Sequence, residues 1–225
     1  MYRRTLRNVL LLGLLAAWLV FAVSACGGGE EQSKPRPLPE EEKALRPGEY
    51  RSEEFKPSFS FRVGKGWTNA PPETSDLLHI QWEQKGGIGF LKFQQVYEPT
   101  RTGTPNVVKA PKDMLSWFQQ HPYLQTSTPE PATVGGVEGK RFDLSLGDVP
   151  EDYHAVCGSN CVDIGNVGSG SDLLAIHEGE KVRVIVLEDM EGGTLTIGSN
   201  SSITDFDEFI PEAQKVIYSV KWKGS

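Results

Sequence analysis

The stretch FSFRVGKGW, residues 59–67, decides how the rest of the chain is read. Phe59, Phe61 and Val63 alternate with Ser60 and Arg62. A period of two places the three apolar side chains on one face of a strand and the polar pair on the other. Gly64-Lys65-Gly66 breaks the run and Trp67 follows. The same alternation recurs outward. Runs around 78–84 and 88–97 flank Lys85-Gly86-Gly87, a hairpin signal. Phe142, Leu144 and Leu146 alternate after Gly135-Gly136. The runs 173–176, 181–188 and 194–197 are separated by Glu178-Gly179-Glu180 and Glu191-Gly192-Gly193, which read as tight turns.

Two stretches carry the helical period instead. Pro111 opens one in which Met114, Leu115, Trp117 and Phe118 share a face, and Pro122 stops it. In the other, Phe206, Phe209, Ile210, Ala213 and Val216 recur at helical spacing. Thr204 with Asp207 is its expected N-terminal cap, and Pro211 inside it predicts a kink or restart. Tyr218, Val220 and Trp222 predict a last strand. Strands joined by short turns pair antiparallel, and helices must cover a face. The expectation is therefore an α+β domain over 50–223, a single antiparallel sheet flanked by two or more helices.

The preceding residues read differently. A basic start with Arg3, Arg4 and Arg7 leads into an uncharged apolar run, 9–23. As a helix it would span roughly 22 Å, short of the ~30 Å hydrocarbon core, so residues 1–25 read as a signal peptide. Val23-Ser24-Ala25-Cys26 resembles the bacterial lipobox. The resemblance implies a diacylglycerol on Cys26 and a membrane anchor on the extracytoplasmic face. Residues 27–49 hold many prolines, glycines and charges, with Leu38 and Leu45 as the only larger aliphatics. Residues 26–49 are thus expected to be a lipidated cysteine and a disordered spacer.

FSFRVGKGW (59–67) also resembles the opening strand and turn of the PsbP-like domain, and DFDEFIPEAQKVIYSVKW (205–222) is similar to its closing helix and strand. That resemblance implies a non-catalytic binding or accessory module. The Gly-rich stretch 157–172 departs from the pattern.

Chemistry concentrates in DYHAVCGSNCV, residues 152–162. Outside the cytoplasm, Cys157 and Cys161 read as a disulfide, with Gly158 and Asn160 suited to the tight ring. The alternative is a hydrolase or metal-dependent enzyme built around His154, Cys157, Cys161 and His177, a metal taking either His177 or Asp163 as its fourth ligand. The second cysteine pair of a structural zinc module is missing. Ser169, Ser171 and Asp172 lie in a Gly-rich loop, without a Gly-x-Ser-x-Gly elbow or a phosphate-loop ending. His79 and His121 complete the histidines. No cofactor is implied. The formal net charge of −7 argues against nucleic acid. The partner is expected to be the membrane, through Cys26, together with an unidentified protein or small molecule.

Overall fold

Short turns join neighbouring runs of alternating residues, and the chain accordingly folds into hairpins. The structure is a computed structural model that describes residues 34–167, 172–190 and 192–223. The architecture is that of the unit Pro35–Ser225. In chain order the strands begin with β1 (Arg36–Pro37), β2 (Lys43–Ala44), β3 (Gly48–Arg51), β4 (Phe59–Val63), β5 (Trp67–Ala70) and β6 (Leu77–Trp82). β7 (Gly86–Leu91), β8 (Phe93–Tyr97) and β9 (Val107–Lys109) lead to helix α1 (Met114–Gln120). Next come β10 (Leu124–Thr126), β11 (Glu130–Val134), β12 (Val137–Leu146), β13 (Cys161–Val167) and β14 (Asp172–His177). β15 (Glu180–Met190), β16 (Gly193–Ser202), helix α2 (Phe206–Ile217) and β17 (Lys221–Trp222) complete the chain.

The strands form three sheets, which corrects the expectation of a single antiparallel sheet flanked by two or more helices. The fold is mostly β. A nine-stranded sheet runs β10-β12-β15-β16-β7-β6-β5-β2, with β11 also on β12. One four-stranded sheet is β1-β3-β4-β17 and another is β14-β13-β8-β9. The β1–β3 pair is parallel. Among the described residues α1 and α2 are the only helices, 7 and 12 residues long. Two such short elements cannot cover both faces of so wide a sheet, so strands supply most of the cover.

The nine-stranded sheet is buried on both faces because its strands carry apolar residues at both parities. Ile80, Phe90, Ile185, Leu187, Leu195 and Ile197 enter one core. Phe55, Phe59, Phe61, Trp67 and Phe209 join them there, with the Phe59 and Phe90 rings 4.6 Å apart. Helix α2 closes this side against β4, β7 and β16. It runs unbroken through Pro211, because Phe206, Phe209, Ile210 and Ala213 are buried on both sides of the proline and hold the turns in place. Its cap is Asp205 rather than Thr204. Phe142, Leu144, Val182, Val184 and Val186 face the opposite way, into a second core with Val162, Ile164 and Phe118. The sheet containing β13 and helix α1 cover that side. Asp113 caps α1, accepting the Ser116 N–H at 2.8 Å.

The expected spacer over 26–49 meets the folded unit at Pro35. Leu38 and Leu45, its two aliphatics, are buried in the larger core. The Leu45 N–H donates to the Trp67 carbonyl at 2.7 Å, and the Asn69 side chain donates to the Pro39 carbonyl at 2.5 Å. The Arg36 guanidinium donates to the carbonyls of Arg46 and Pro47 and lies 4.4 Å above the Tyr50 ring. Two buried leucines contribute roughly 2 kcal/mol each, and pairing at the sheet edges satisfies the backbone. Composition alone pointed to disorder; these contacts order residues 35–49.

Candidate functional site

Between the nine-stranded sheet and the sheet holding β13 and β14 lies an apolar cleft of about 600 Å³. Its floor follows from the register. One row across the large sheet reads Val184, Gly198, Gly89, His79, Ala70, each a direct partner of the next. The row beside it reads Val182, Asn200, Gly87, Gln81. On β7 the glycines alternate with Ile88 and Phe90, which fill the larger core. On β16, Thr196, Gly198 and Asn200 face the cleft while Leu195 and Ile197 face that core. Gly89 and Gly198 sit opposite one another in adjacent strands and contribute no side chain to the floor. The Leu91 side chain leans over them, 3.1 Å from the place of a Cβ on Gly89 and 3.8 Å from one on Gly198. Glycine inside a strand marks a place where something approaches the backbone closely.

Leu77, Leu91, Phe93, Phe118, Ile164 and Ile176 wall the cleft. Thr196 is 2% exposed and lines it, and among the described residues its Oγ1 has no hydrogen-bond partner. An unpaired buried hydroxyl costs roughly 1–3 kcal/mol. Burial pushes the His79 imidazole below its ordinary range. It is therefore neutral at pH 7, with one donor and one acceptor nitrogen. At the rim, Glu180 accepts the backbone N–H of His177 at 3.0 Å.

The cysteine loop forms part of the same rim. Cys157 and Cys161 are bonded to one another, with Cα atoms 6.3 Å apart. Gly158 and Asn160 take positive φ, +106° and +58°, as the small ring requires. The fully buried Asp163 carboxylate accepts the N–H groups of Val156 and Cys157, at 2.6 and 2.9 Å. Asp163 thus anchors the loop to β13 from inside.

This geometry divides the residues proposed for chemistry. Cys161 and His177 are cross-strand partners, and Cys157 and His177 both line the cleft. His154 is exposed, its backbone N–H on the Gly103 carbonyl, and does not line the cleft. The disulfide takes both sulfurs, so the arrangement His154, Cys157, Cys161 and His177 offers no thiolate pair to a metal. Among the described residues no group of three or more His, Cys, Asp or Glu could hold a metal ion. Val23–Cys26, Ser169 and Ser171 lie outside the described residues. His121 is packed between Trp117 and Tyr123, and burial pushes its pKa down to about 4.

Gly87, Gly89, Gly198 and Thr196 escaped the sequence reading. The available signal was glycine alternating with large apolar residues through Gly86–Leu91, a strand dressed on one face and bare on the other.

No family model matches the chain, and no curated protein matches it. Among solved structures the chain is similar to cyanobacterial PsbP from Synechocystis sp. PCC 6803, at 11% identity over 89% of this chain and 99% of that one, with a TM-score of 0.40. It is also similar to LpqN, involved in cell envelope biogenesis of Mycobacterium tuberculosis, at 10% identity over 80% of this chain and 90% of that one, with a TM-score of 0.37.

Proposed function

We propose that this chain is a non-catalytic binding module that holds an alkyl or acyl chain in the cleft between its two sheets, anchored at the extracytoplasmic membrane face through a diacylglycerol on Cys26. The observation that carries the reading is the facing pair Gly89 and Gly198 beneath aliphatic and aromatic walls. Ligand pockets typically enclose about 300–1,000 Å³ with mostly apolar linings and a few placed polar groups. The cleft matches that description in size and in its sparse polar set of Thr196, His79, Glu180 and Asn200. Burial of each methylene contributes about 0.8 kcal/mol, so a ten-carbon chain contributes about 8 kcal/mol against the cost of association.

Titration of the purified protein with a C10 alkyl amphiphile below its micellar concentration tests the cleft. Saturable one-to-one binding is expected, with a negative heat-capacity change from apolar burial. Heat that never saturates would defeat the reading. The anchor is tested separately by intact mass of the membrane fraction. Wild-type protein should carry a diacylglycerol and Cys26→Ser should not, since a single acyl chain anchors only weakly.

A further inference from the structure

The apolar cleft does not end at its rim. His79, Glu180 and Asn200 line it and also line a second hollow of about 330 Å³, which continues past Gln81, Gln84 and Ser201. We infer that this trough receives the headgroup of the bound amphiphile and that the headgroup is uncharged and rich in hydroxyls, a glycosyl or glyceryl unit; the inference rests on the proposed alkyl site.

The side chains decide the chemistry. Among the described residues those of His79, Gln81, Gln84 and Asn200 have no hydrogen-bond partner, and Gln81 and Asn200 both flank Gly87 in the row next to the glycine floor. An amide offers two donors and an acceptor, and a neutral imidazole offers one of each. A hydroxyl both donates and accepts, so a ring of hydroxyls pairs with such a set in either direction. A phosphate accepts only, and is held by cations, above all by arginine forks. No arginine lines the trough, and its lysine, Lys85, holds Glu208 at 2.5 Å. A quaternary ammonium needs an aromatic cage or a free carboxylate. The trough has no aromatic lining to form a cage, and its one carboxylate, Glu180, has one oxygen engaged by the His177 N–H. The volume, on the order of ten waters at ~30 Å³ each, is that of one compact polar unit. Polarity changes along a single row of the sheet, from Gly198 and Gly89 to His79, so one ligand meets an apolar floor and then a polar one.

Calorimetry with three decyl derivatives, bearing a glucosyl, a phosphate or a trimethylammonium group, separates the possibilities. The glucoside should bind at least tenfold tighter than the other two. Gln81→Ala combined with Asn200→Ala should reduce that advantage to within about threefold, while affinity for the phosphate stays near wild type. Both side chains are exposed, so the variant should fold; its urea midpoint checks this. Equal binding of all three derivatives, tighter binding of a charged one, or an unchanged glucoside affinity in the double variant would overturn the headgroup assignment and leave the alkyl site standing. Failure of all three to bind would overturn both.

Discussion

Gly198→Leu should close the cleft without disturbing the fold. A Cβ built on Gly198 meets nothing nearer than Leu91 Cδ1 and Val182 Cγ1, both at 3.8 Å, which is ordinary contact. Its φ lies outside the left-handed region, so a side chain brings no backbone strain. The added isobutyl group takes the space of roughly three ligand methylenes, at about 0.8 kcal/mol each. The expected loss is about 2.4 kcal/mol, or roughly 50-fold in affinity for decyl glucoside. Stability should hold or rise by up to ~1 kcal/mol, because a strand glycine gives up more backbone entropy than leucine does. Titration calorimetry gives the first number and urea unfolding the second. Gly86→Ala serves as a contrast: there a Cβ would sit 2.7 Å from the Asn200 carbonyl oxygen and from the Phe209 ring, so stability should fall. An affinity within threefold of wild type for a normally stable Gly198→Leu would refute the assignment of the cleft as the binding site.

Cys157 and Cys161 should resist alkylation until the protein is reduced, and replacing both by Ser should cost about 2 kcal/mol or less in urea unfolding, since the ring is short. Leu38→Ala should cost about 2–3 kcal/mol, read as a lower denaturant midpoint; no change would mean that the strap contributes nothing to the core. Folding holds His121 neutral, with its pKa down to about 4 against ~6.5 unfolded, and lowers His79 in the same direction. The unfolded chain therefore binds more protons between those values. Stability should be full above about pH 6.5 and fall by up to about 3 kcal/mol for His121 as the pH drops toward 4. His121→Phe should flatten that slope in unfolding measured between pH 7 and 4.5.

Strand and turn positions were legible because they are local. Phe59-x-Phe61-x-Val63 is a strand. The hairpin expected at 85–87 turns at 83–85, with Gly86 and Gly87 already in β7. β15 and β16 pair as the break near 192–193 suggested, while the turn at 178–180 joins β14 to β15, strands of different sheets. Assignment of strands to sheets was not legible, because a period of two shows that a face is buried and not what buries it. The run 88–97 reads as one strand, yet it divides at Lys92 between β7 and β8, which belong to different sheets. Residues 35–49 were misjudged because two leucines are few by composition but sufficient once the strap's backbone pairs with the sheets. The disulfide was readable from the even pair, Cys157 and Cys161, once export was expected. The cleft was not, since it consists of side chains that are missing: Gly89 and Gly198 carry no hydrophobic signal, and only their register makes them neighbours.

The alternation along β7 and β16 separates two demands that usually compete. Ile88, Phe90, Leu195 and Ile197 hold the larger core, while Gly87, Gly89, Gly198 and Asn200 shape the opposite surface of the same two strands. Substitution on one side leaves packing on the other untouched, as the free space at Gly198 illustrates. On the proposed binding role, the compartment can then change through replacement at Gly198 without an unstable intermediate, whereas at Gly87 and Gly89 the His79 and Leu91 side chains must move first. Each filled position would shorten the compartment by about one strand spacing, ~4.8 Å. Related domains that differ at these few positions would hold shorter or longer chains on an unchanged scaffold.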